Sequence, residues 1–357
     1  MCATEIPILQ CAWPKPSRPR PIVIVGAGGI VNDAHLPAYR KAGWAVAGIF
    51  DVDPARARKT AETFGIERVF DSMEDACRMR DVVFDIAIPP EHEYAAVQSL
   101  APGSAVLLQK PLGTDIQDAQ RIKNACRTRK LIAAVNFQLR FSPMMLAVRD
   151  ALSQGLLGEI VDVEVRLNTR TPWELFPFLE KLKRVEIQAH SVHYLDWIRS
   201  VLGEPKGVYA RTVRHPAFPK LQSTRTSAIL DYGSGIRCCL TLNHNYEFGP
   251  EHEAATISVQ GMNGAALVTL GLLLNYPTGK PETVEITTRE LPWTQIPIDG
   301  RWFPDGFVGR MANLQRFITG EDAELVSTVD DALKTMALVE ACYISDAHGA
   351  TPIPETI

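Results

Sequence analysis

The stretch Pro21-Ile-Val-Ile-Val-Gly-Ala-Gly-Gly-Ile30 decides the fold of this chain. It begins with a short β-branched run, which is typical of a buried strand, and passes directly into a glycine-rich turn. A helical pattern follows through Lys41, and Ala45–Phe50 has the pattern of a second strand that ends at Asp51. A strand, a helix and a second strand in this order predict a βαβ unit with parallel strands.

The alternation of strands and helices continues to about residue 140 and then stops. Three further apolar runs extend the parallel sheet: Phe84–Ile88, Ser104–Leu108 and Leu131–Val135. Beyond them, strand-like runs follow one another with a single helix, about His193–Leu202, between them: Ile160–Leu167, Gly207–Val213, Ser227–Tyr232, Ile236–Leu242, Ala255–Gln260, Ala265–Leu270 and Val284–Thr288. Consecutive strands favour an antiparallel sheet with one covered face. Helices over Asp305–Thr319 and Asp330–Ala347 are predicted to follow, the second with a capping-box pattern at Thr328 and Asp331.

The composition excludes several classes of protein. The 37 basic and 41 acidic residues give a formal net charge of −4, and neither sign forms a long block. The chain therefore has no electrostatic footprint for nucleic acid or for an anionic membrane. Its longest mostly apolar run, Ala265–Leu274, is too short to span a bilayer. Seven cysteines without a repeated spacing indicate reduced thiols in a cytoplasmic protein, and they fit neither a zinc ribbon nor a disulfide scaffold.

The glycine turn and Asp51 together predict dinucleotide binding. A tight turn followed by residues without Cβ lets the backbone approach a pyrophosphate, and an acidic residue after the second strand can accept hydrogen bonds from the adenosine ribose. A tight turn without a ligand is the alternative, since Val31 stands where the usual third glycine would fall. Asp51 favours NAD over NADP because its charge repels a 2′-phosphate. Arg56 and Arg58 either offset that repulsion or form a solvated helix face.

Several motifs in order resemble those of the glucose–fructose oxidoreductase, inositol dehydrogenase and rhizopine-catabolism (Gfo/Idh/MocA) family. In addition to Gly26-x-Gly-Gly-Ile30, they are Pro89-x-x-His92, Lys110-Pro111, Gly155-x-x-Gly-Glu159, His193-x-x-Asp196 and Gly203-Glu-Pro205. The resemblance covers about residues 21 to 350. It implies an N-terminal Rossmann domain, a C-terminal α/β domain with a large open sheet, and NAD(P)-dependent oxidation of a sugar or cyclitol hydroxyl.

The fold expected from both lines of reasoning is α/β, with a doubly wound parallel sheet and a large, mostly antiparallel open sheet. We predict a flexible leader over residues 1–20, a dinucleotide-binding Rossmann domain over 21–140 and a substrate-binding and oligomerisation domain over 141–357. An open sheet with an exposed face favours a homodimer or homotetramer. The cofactor-binding residues expected from the motifs are Gly26, Gly28, Gly29, Ile30, Asp51, Pro89, His92, Gln109 and Lys110.

Lys110 and His193 are the candidate catalytic residues. Oxidation of an alcohol needs a cation near the developing alkoxide and a base for the hydroxyl proton. Lys110 follows a parallel strand at the sheet edge where ligands bind, and a histidine titrates near neutrality. A solvated surface lysine and a core histidine are the structural alternatives.

The family pattern carries carboxylates at two positions where this chain has Gln109 and Ala189. Their loss removes the groups that tune the Lys110 and His193 pKa values in the family. His190, three residues before His193, and Glu186 are the candidates for compensation. The His-x-x-His pair also raises the question of a metal, but no third ligand is evident and none is expected.

The expected substrate contacts are Arg140, Trp173 with Thr171 beside it, Trp302 and His193 itself. Aromatic rings beside polar groups suit a sugar, although core packing is the alternative for Trp173 and Trp302. The role of His244 stays open. The leading hypothesis is an NAD-dependent dehydrogenase of a sugar, sugar acid or cyclitol. The alternatives are an enzyme of the same fold that acts on a non-sugar substrate such as a dihydrodiol, and a non-catalytic dinucleotide or metabolite sensor.

Overall fold

The computed structural model describes residues 5–354, and the chain folds into two compact units. The first, called here the five-strand unit, contains Pro7–Ser153 and Ile296–Met336. The second, the eight-strand unit, contains Gln154–Gln295, residues 337–354 and residues 5–6. In the described part of the chain, no helix has the length and apolar character needed to cross a membrane.

The five-strand unit has a wholly parallel sheet, as predicted. Its strands lie in the order β2-β1-β3-β4-β5. They are β1 (Ile22–Val25), β2 (Val46–Phe50), β3 (Val83–Ile86), β4 (Ala105–Leu108) and β5 (Ile132–Val135). Every residue of β1, β3 and β4 is buried, which explains why β1 and β4 are continuous apolar runs in the sequence. In β3, Asp85 interrupts the apolar run.

The helices of this unit begin and end at residues with local roles. In the segment Pro7–Ser153 they are α1 (Leu36–Ala42), α2 (Pro54–Phe64), α3 (Met73–Cys77), α4 (Glu93–Ser99), α5 (Ile116–Thr128) and α6 (Pro143–Ser153). The Asp53 carboxylate accepts hydrogen bonds from the first backbone N–H groups of α2, and Gly65 ends that helix in the left-handed conformation. A π-helical turn, Val31–His35, precedes α1.

The eight-strand unit has a sheet in the order β13-β12-β11-β10-β6-β9-β8-β7. Its strands are β6 (Ile160–Asn168), β7 (Gly207–Val213), β8 (Arg225–Asp231), β9 (Arg237–Asn243), β10 (Ala254–Gly261), β11 (Gly264–Thr269), β12 (Thr283–Thr288) and β13 (Thr294–Gln295). Only β6 and β9 pair in parallel among these described strands, which confirms the mostly antiparallel sheet. Helix α7 (Val192–Leu202) follows a second π-helical turn, Ile187–Ser191.

The large sheet has one covered face and one open face. Buried and accessible residues alternate along its central strands, which is the expected pattern for a sheet covered on one side. On the accessible side, Tyr209 of β7 lies opposite Ile229 of β8, and their exposed fractions are 70% and 54%.

The chain ends with two long helices, α8 (Asp305–Ile318) and α9 (Val329–His348). The Thr328 hydroxyl caps α9 by accepting a hydrogen bond from the Asp331 backbone N–H. Phe307, Met311 and Leu314 of α8 belong to the hydrophobic core that also contains Ile22 and Leu107. The five-strand unit therefore includes α8, which a boundary at residue 140 would assign to the other domain.

The predicted flexible leader is wrong for the residues after Ile6. The Trp13 ring packs edge-on against Phe141 with centroids 5.0 Å apart, and Trp13 Nε1 donates to an Asp322 carboxylate oxygen at 2.8 Å. The Ser17 backbone N–H donates to Glu321. These aromatic and charged contacts attach the segment to the five-strand unit, while Met1–Thr4 lie outside the described residues.

Candidate active site

The glycine turn after β1 is shaped as the sequence predicted. Gly26 has φ +109°, and a Cβ there would lie 2.2 Å from the Ala87 carbonyl oxygen, so only glycine fits. A Cβ on Gly28 would meet no atom within 4 Å, and one on Gly29 would meet only the Asp33 carboxylate, at 3.7 Å. Gly28 and Gly29 thus leave open space beside the backbone, and the side chain of Ile30 packs against the core. This geometry fits the approach of a pyrophosphate.

Asp51 is fixed beside this turn. One carboxylate oxygen accepts a hydrogen bond from the Ala27 N–H at 2.7 Å, and the other accepts from the Asp53 N–H at 2.8 Å. The Arg56 guanidinium lies 3.5 Å from Asp51 Oδ1. Since a carboxylate has about four acceptor sites, Asp51 retains capacity for the hydroxyls of a ribose. The turn and the acidic residue therefore meet, as expected for a dinucleotide site.

Lys110 follows β4 at the carboxyl edge of the parallel sheet. Its backbone N–H donates to Gln109 Oε1 at 2.9 Å, and Gln109 Nε2 lies 2.9 Å from His35 Nε2. Burial lowers the pKa of the Lys110 ammonium to about 8. Lys110 is therefore a cation that can lose its proton near physiological pH, which suits a group that meets a reacting oxygen.

The neighbouring strand end carries Pro89 and His92, which are joined by a hydrogen bond from the His92 N–H to the Pro89 carbonyl at 3.0 Å. Glu93, which the motifs did not single out, is fully buried and accepts a hydrogen bond from the Gly113 N–H at 2.9 Å. Burial raises the pKa of this carboxyl well above its usual range. Glu93 thereby links the start of α4 to the loop that contains Lys110.

Polar groups also follow β5. Asn136 is buried, and neither of its side-chain amide atoms has a hydrogen-bond partner among the described residues. Buried amides are normally satisfied, so these atoms indicate a place for a ligand with both donors and acceptors. A nicotinamide carboxamide has that character. Arg140, predicted to bind substrate, forms an ion pair with Asp331 at 3.0 Å. Trp302 packs edge-on against Phe303, with centroids 5.7 Å apart.

The eight-strand unit brings together a cluster of imidazoles. The rings of His190 and His244 stack with centroids 4.4 Å apart, and the Trp173 ring lies 6.0 Å and 6.1 Å from them. Thr171 Oγ1 is 3.0 Å from His244 Nδ1. Trp173 Nε1 is buried and lacks a hydrogen-bond partner within the described range. His244, whose role the sequence left open, is therefore part of this cluster.

Glu186 supplies the carboxylate of the cluster. It is completely buried, lies 3.4 Å from His244 Nε2 and accepts a hydrogen bond from the Ser191 hydroxyl at 2.8 Å. His190 belongs to the π-helical turn, whereas His193 is the second residue of α7 and is largely buried. The three-residue spacing of the two histidines therefore crosses from one helix type to the other. Residues 5–354 contain no group of three or more His, Cys, Asp or Glu side chains that could hold a metal ion.

Comparison with known proteins agrees with this geometry. Residues 20–137 match the model of an oxidoreductase family with an NAD-binding Rossmann fold, GFO_IDH_MocA, and residues 145–267 match the GFO/IDH/MocA C-terminal domain. A D-apiose dehydrogenase of Rhizobium rhizogenes is 27% identical, over 92% of this chain and 95% of its own. An inositol 2-dehydrogenase of Rhizobium meliloti is 26% identical, over 91% and 96%.

The fold has solved counterparts. An oxidoreductase from Agrobacterium radiobacter, crystallised with NAD+, L-tartaric acid and magnesium, superposes with a TM-score of 0.77 at 23% sequence identity. The alignment covers 93% of this chain and 98% of that one. The two family models, the relatives along nearly the whole chain and the glycine turn with Asp51 agree. The chain belongs to the GFO/IDH/MocA family of NAD-binding oxidoreductases.

Proposed function

We propose that this oxidoreductase transfers a hydride between a hydroxyl group of a sugar, sugar acid or cyclitol and NAD. The observation that carries the proposal is Lys110, a cation at the carboxyl edge of the parallel sheet whose pKa is lowered to about 8. The relatives that act on D-apiose and inositol support a polyhydroxylated substrate. The Trp173 ring, with its unpartnered buried N–H, supports the same class, because sugars offer C–H faces to aromatic rings and hydroxyls to polar groups.

Lys110 stabilises the developing alkoxide, and His193 exchanges the hydroxyl proton, with His190 as the next candidate for that role. NAD, when bound, would supply the acceptor for the hydride. A positive charge near an alkoxide stabilises the transition state more than the neutral alcohol, which is the condition for catalysis. Arg140, Trp173, His193 and Trp302 orient the substrate.

The cofactor contacts come from the five-strand unit. The backbone of Gly26, Gly28, Gly29 and Ile30 holds the pyrophosphate, and Asp51 accepts from the adenosine ribose. Pro89, His92, Gln109 and Lys110 contribute the remaining contacts, and Asn136 meets the carboxamide. The position of Asp51 supports a preference for NAD over NADP, since its carboxylate is held in place by two backbone N–H groups.

We also propose that the enzyme is a homodimer or homotetramer and that it works in the cytoplasm. Exposed apolar residues on the open sheet face, among them Tyr209 and Ile229, support a homodimer or homotetramer. The described cysteines are all free thiols, which supports work in the cytoplasm.

The test is an NADH absorbance assay over a panel of sugars, sugar acids, cyclitols and dihydrodiols, with Lys110→Ala beside the native enzyme. Lys110→Ala should lower kcat by about 10²-fold or more. NADH binding, measured by fluorescence, should weaken by a much smaller factor, because the glycine turn and Asp51 keep most of the cofactor contacts. Lys59→Ala removes an exposed lysine of α2 and should leave both quantities unchanged. If Lys110→Ala keeps its kcat on a substrate from the panel, the assigned role is wrong.

A further inference from the structure

Four buried or half-buried polar side chains form one hydrogen-bonded chain inside the five-strand unit. His35 Nδ1 and the Tyr39 hydroxyl both lie 2.6 Å from Asp85 Oδ2. At the other side of the His35 ring, Nε2 lies 2.9 Å from Gln109 Nε2. His35, Tyr39 and Asp85 have exposed fractions of 0%, 1% and 1%. The last link joins Gln109 to the backbone of Lys110.

The backbone of Lys110 determines the orientation of the Gln109 amide. The Lys110 N–H is a donor, so the atom 2.9 Å from it must be the Gln109 oxygen. The Gln109 NH₂ group then faces His35 and donates to Nε2, which must be unprotonated. The ring therefore carries its one proton on Nδ1 and donates it to Asp85. Each link in this chain has a single allowed direction, which is fixed by a backbone N–H.

The negative charge of this hydrogen-bonded set of side chains lies on Asp85, away from Lys110. Asp85 Oδ2 accepts from both His35 and Tyr39, and burial with the neighbouring carboxylate raises the Tyr39 pKa well above its usual range. The buried Arg310 guanidinium is the cation that acts on Tyr39 from α8. A glutamate at position 109, as in the family pattern, would present an oxygen to His35 Nε2. That oxygen requires a second proton on the ring, and hence an imidazolium between two carboxylates.

We propose that Gln109 is a positioning residue, which holds the Lys110 backbone through a neutral His35 with its proton on Nδ1. The relay Asp85–His35–Gln109 substitutes for the carboxylate that the family pattern has beside the lysine. This inference rests on the proposed role of Lys110 only for its effect on turnover. The protonation state of His35 follows from the hydrogen bonds alone.

The first test reads that protonation state directly by long-range ¹H–¹⁵N NMR on the ¹⁵N-histidine-labelled protein at pH 7.5. One of the eight histidines should show a protonated Nδ1 and an unprotonated Nε2. The signal is assigned by its loss in His35→Asn or, if that variant does not fold, by its shift in Tyr39→Phe. In Gln109→Glu the same ring should become an imidazolium. A native His35 with its proton on Nε2, or a neutral ring in Gln109→Glu, overturns the proposal.

The second test measures the positioning. Gln109→Met has a similar length but no polar atoms, and it should lower kcat about 10-fold or more, since small displacements of a catalytic group are costly. Its NADH Kd should change by a smaller factor than kcat, because Gln109 supplies only one of several cofactor contacts. Tyr39→Phe is the matched control, because it removes the other donor to Asp85 and should keep both kcat and the Nδ1 proton. A native kcat in Gln109→Met overturns the positioning role. If Lys110→Ala stays active, the proposed function fails while the NMR result still decides the state of His35.

Discussion

Asp51→Ser offers a direct test of how this enzyme distinguishes NAD from NADP. The native carboxylate is 8% exposed and accepts from the Ala27 and Asp53 N–H groups at 2.7 Å and 2.8 Å. Arg56 lies 3.5 Å from the same carboxylate. The substitution removes the negative charge next to the adenosine ribose, and it leaves a guanidinium beside the place that a 2′-phosphate would occupy.

The size of the effect follows from the hydrogen bonds lost. A hydrogen bond to a charged group contributes about 1.5–3 kcal/mol net. A serine hydroxyl can replace at most part of the two backbone contacts, so the glycine turn should lose about 1–3 kcal/mol of stabilisation. NAD affinity should fall by about 1–3 kcal/mol, or about 5- to 150-fold in Kd. NADP affinity should rise because Arg56 can pair with the phosphate once the carboxylate is gone.

The assay is fluorescence titration with NADH and NADPH, together with kcat/KM for NAD and NADP. Asp53→Ser is the matched control, since Asp53 also lies 3.5 Å from Arg56 and a serine retains the helix cap. Asp53→Ser should leave the ratio of kcat/KM for NAD to kcat/KM for NADP within about 2-fold of the native ratio. Arg56→Ala in the Asp51→Ser background should remove the gain in NADPH binding. A native enzyme that already prefers NADP would refute the reasoning and show that Arg56 outweighs Asp51.

Three further predictions concern two catalytic groups and one substrate contact. Burial lowers the Lys110 pKa to about 8, so a kcat that needs the positive charge of Lys110 should fall as pH rises through 8. Lys110→Arg should remove this fall at alkaline pH, because a guanidinium stays protonated. His193→Asn should lower kcat about 10²–10⁴-fold, with a smaller loss at high pH. An unchanged pH–rate profile would mean that His193 is not the base and that His190 is the next candidate. His190→Asn and the double variant would test that assignment. Trp173→Phe removes the buried N–H that lacks a partner among residues 5–354, and we expect a several-fold higher KM for the substrate. The thermal midpoint should fall, because the smaller ring leaves space beside Leu179 and Val185.

The sequence predicted the sheets well because their strands are apolar runs with clear ends. Strands β1 and β4 lie within one residue of the predicted runs, since both are buried on two faces. Strand β13 was missed, because two residues have no periodicity to detect. The grouping of α8 with the five-strand unit was also missed. It depends on contacts between residues nearly 300 positions apart, such as Phe307 and Ile22 in one core, which local patterns do not encode.

The site was predictable where it is local in sequence. The glycine turn and Asp51 lie 25 residues apart in a standard βαβ unit, and the structure joins them through the Ala27 N–H. The His35–Asp85 pair was not predicted, because Asp85 interrupts an apolar strand and looks like a residue on an exposed strand face. Its partner is 50 residues away on the chain. Only the packing of the segment that leads into α1 against β3 brings the two together.

Near each of the two positions where the family pattern has a carboxylate and this chain has none, a buried acid lies beside an imidazole. Near Gln109, the buried Asp85 acts through His35, and in the segment with Ala189 the buried Glu186 lies 3.4 Å from His244. In each case an imidazole stands beside a fully buried acid. The Asp85 carboxylate lies one imidazole ring farther from Lys110 than a glutamate at position 109 would. Its attraction for the Lys110 ammonium is therefore weaker, since a Coulomb energy falls with distance. Burial lowers the Lys110 pKa to about 8. We therefore expect Gln109→Glu to raise the Lys110 pKa above about 8, while the hydrogen bond from the Lys110 backbone to residue 109 is kept, and a pH–rate profile of that variant checks the shift.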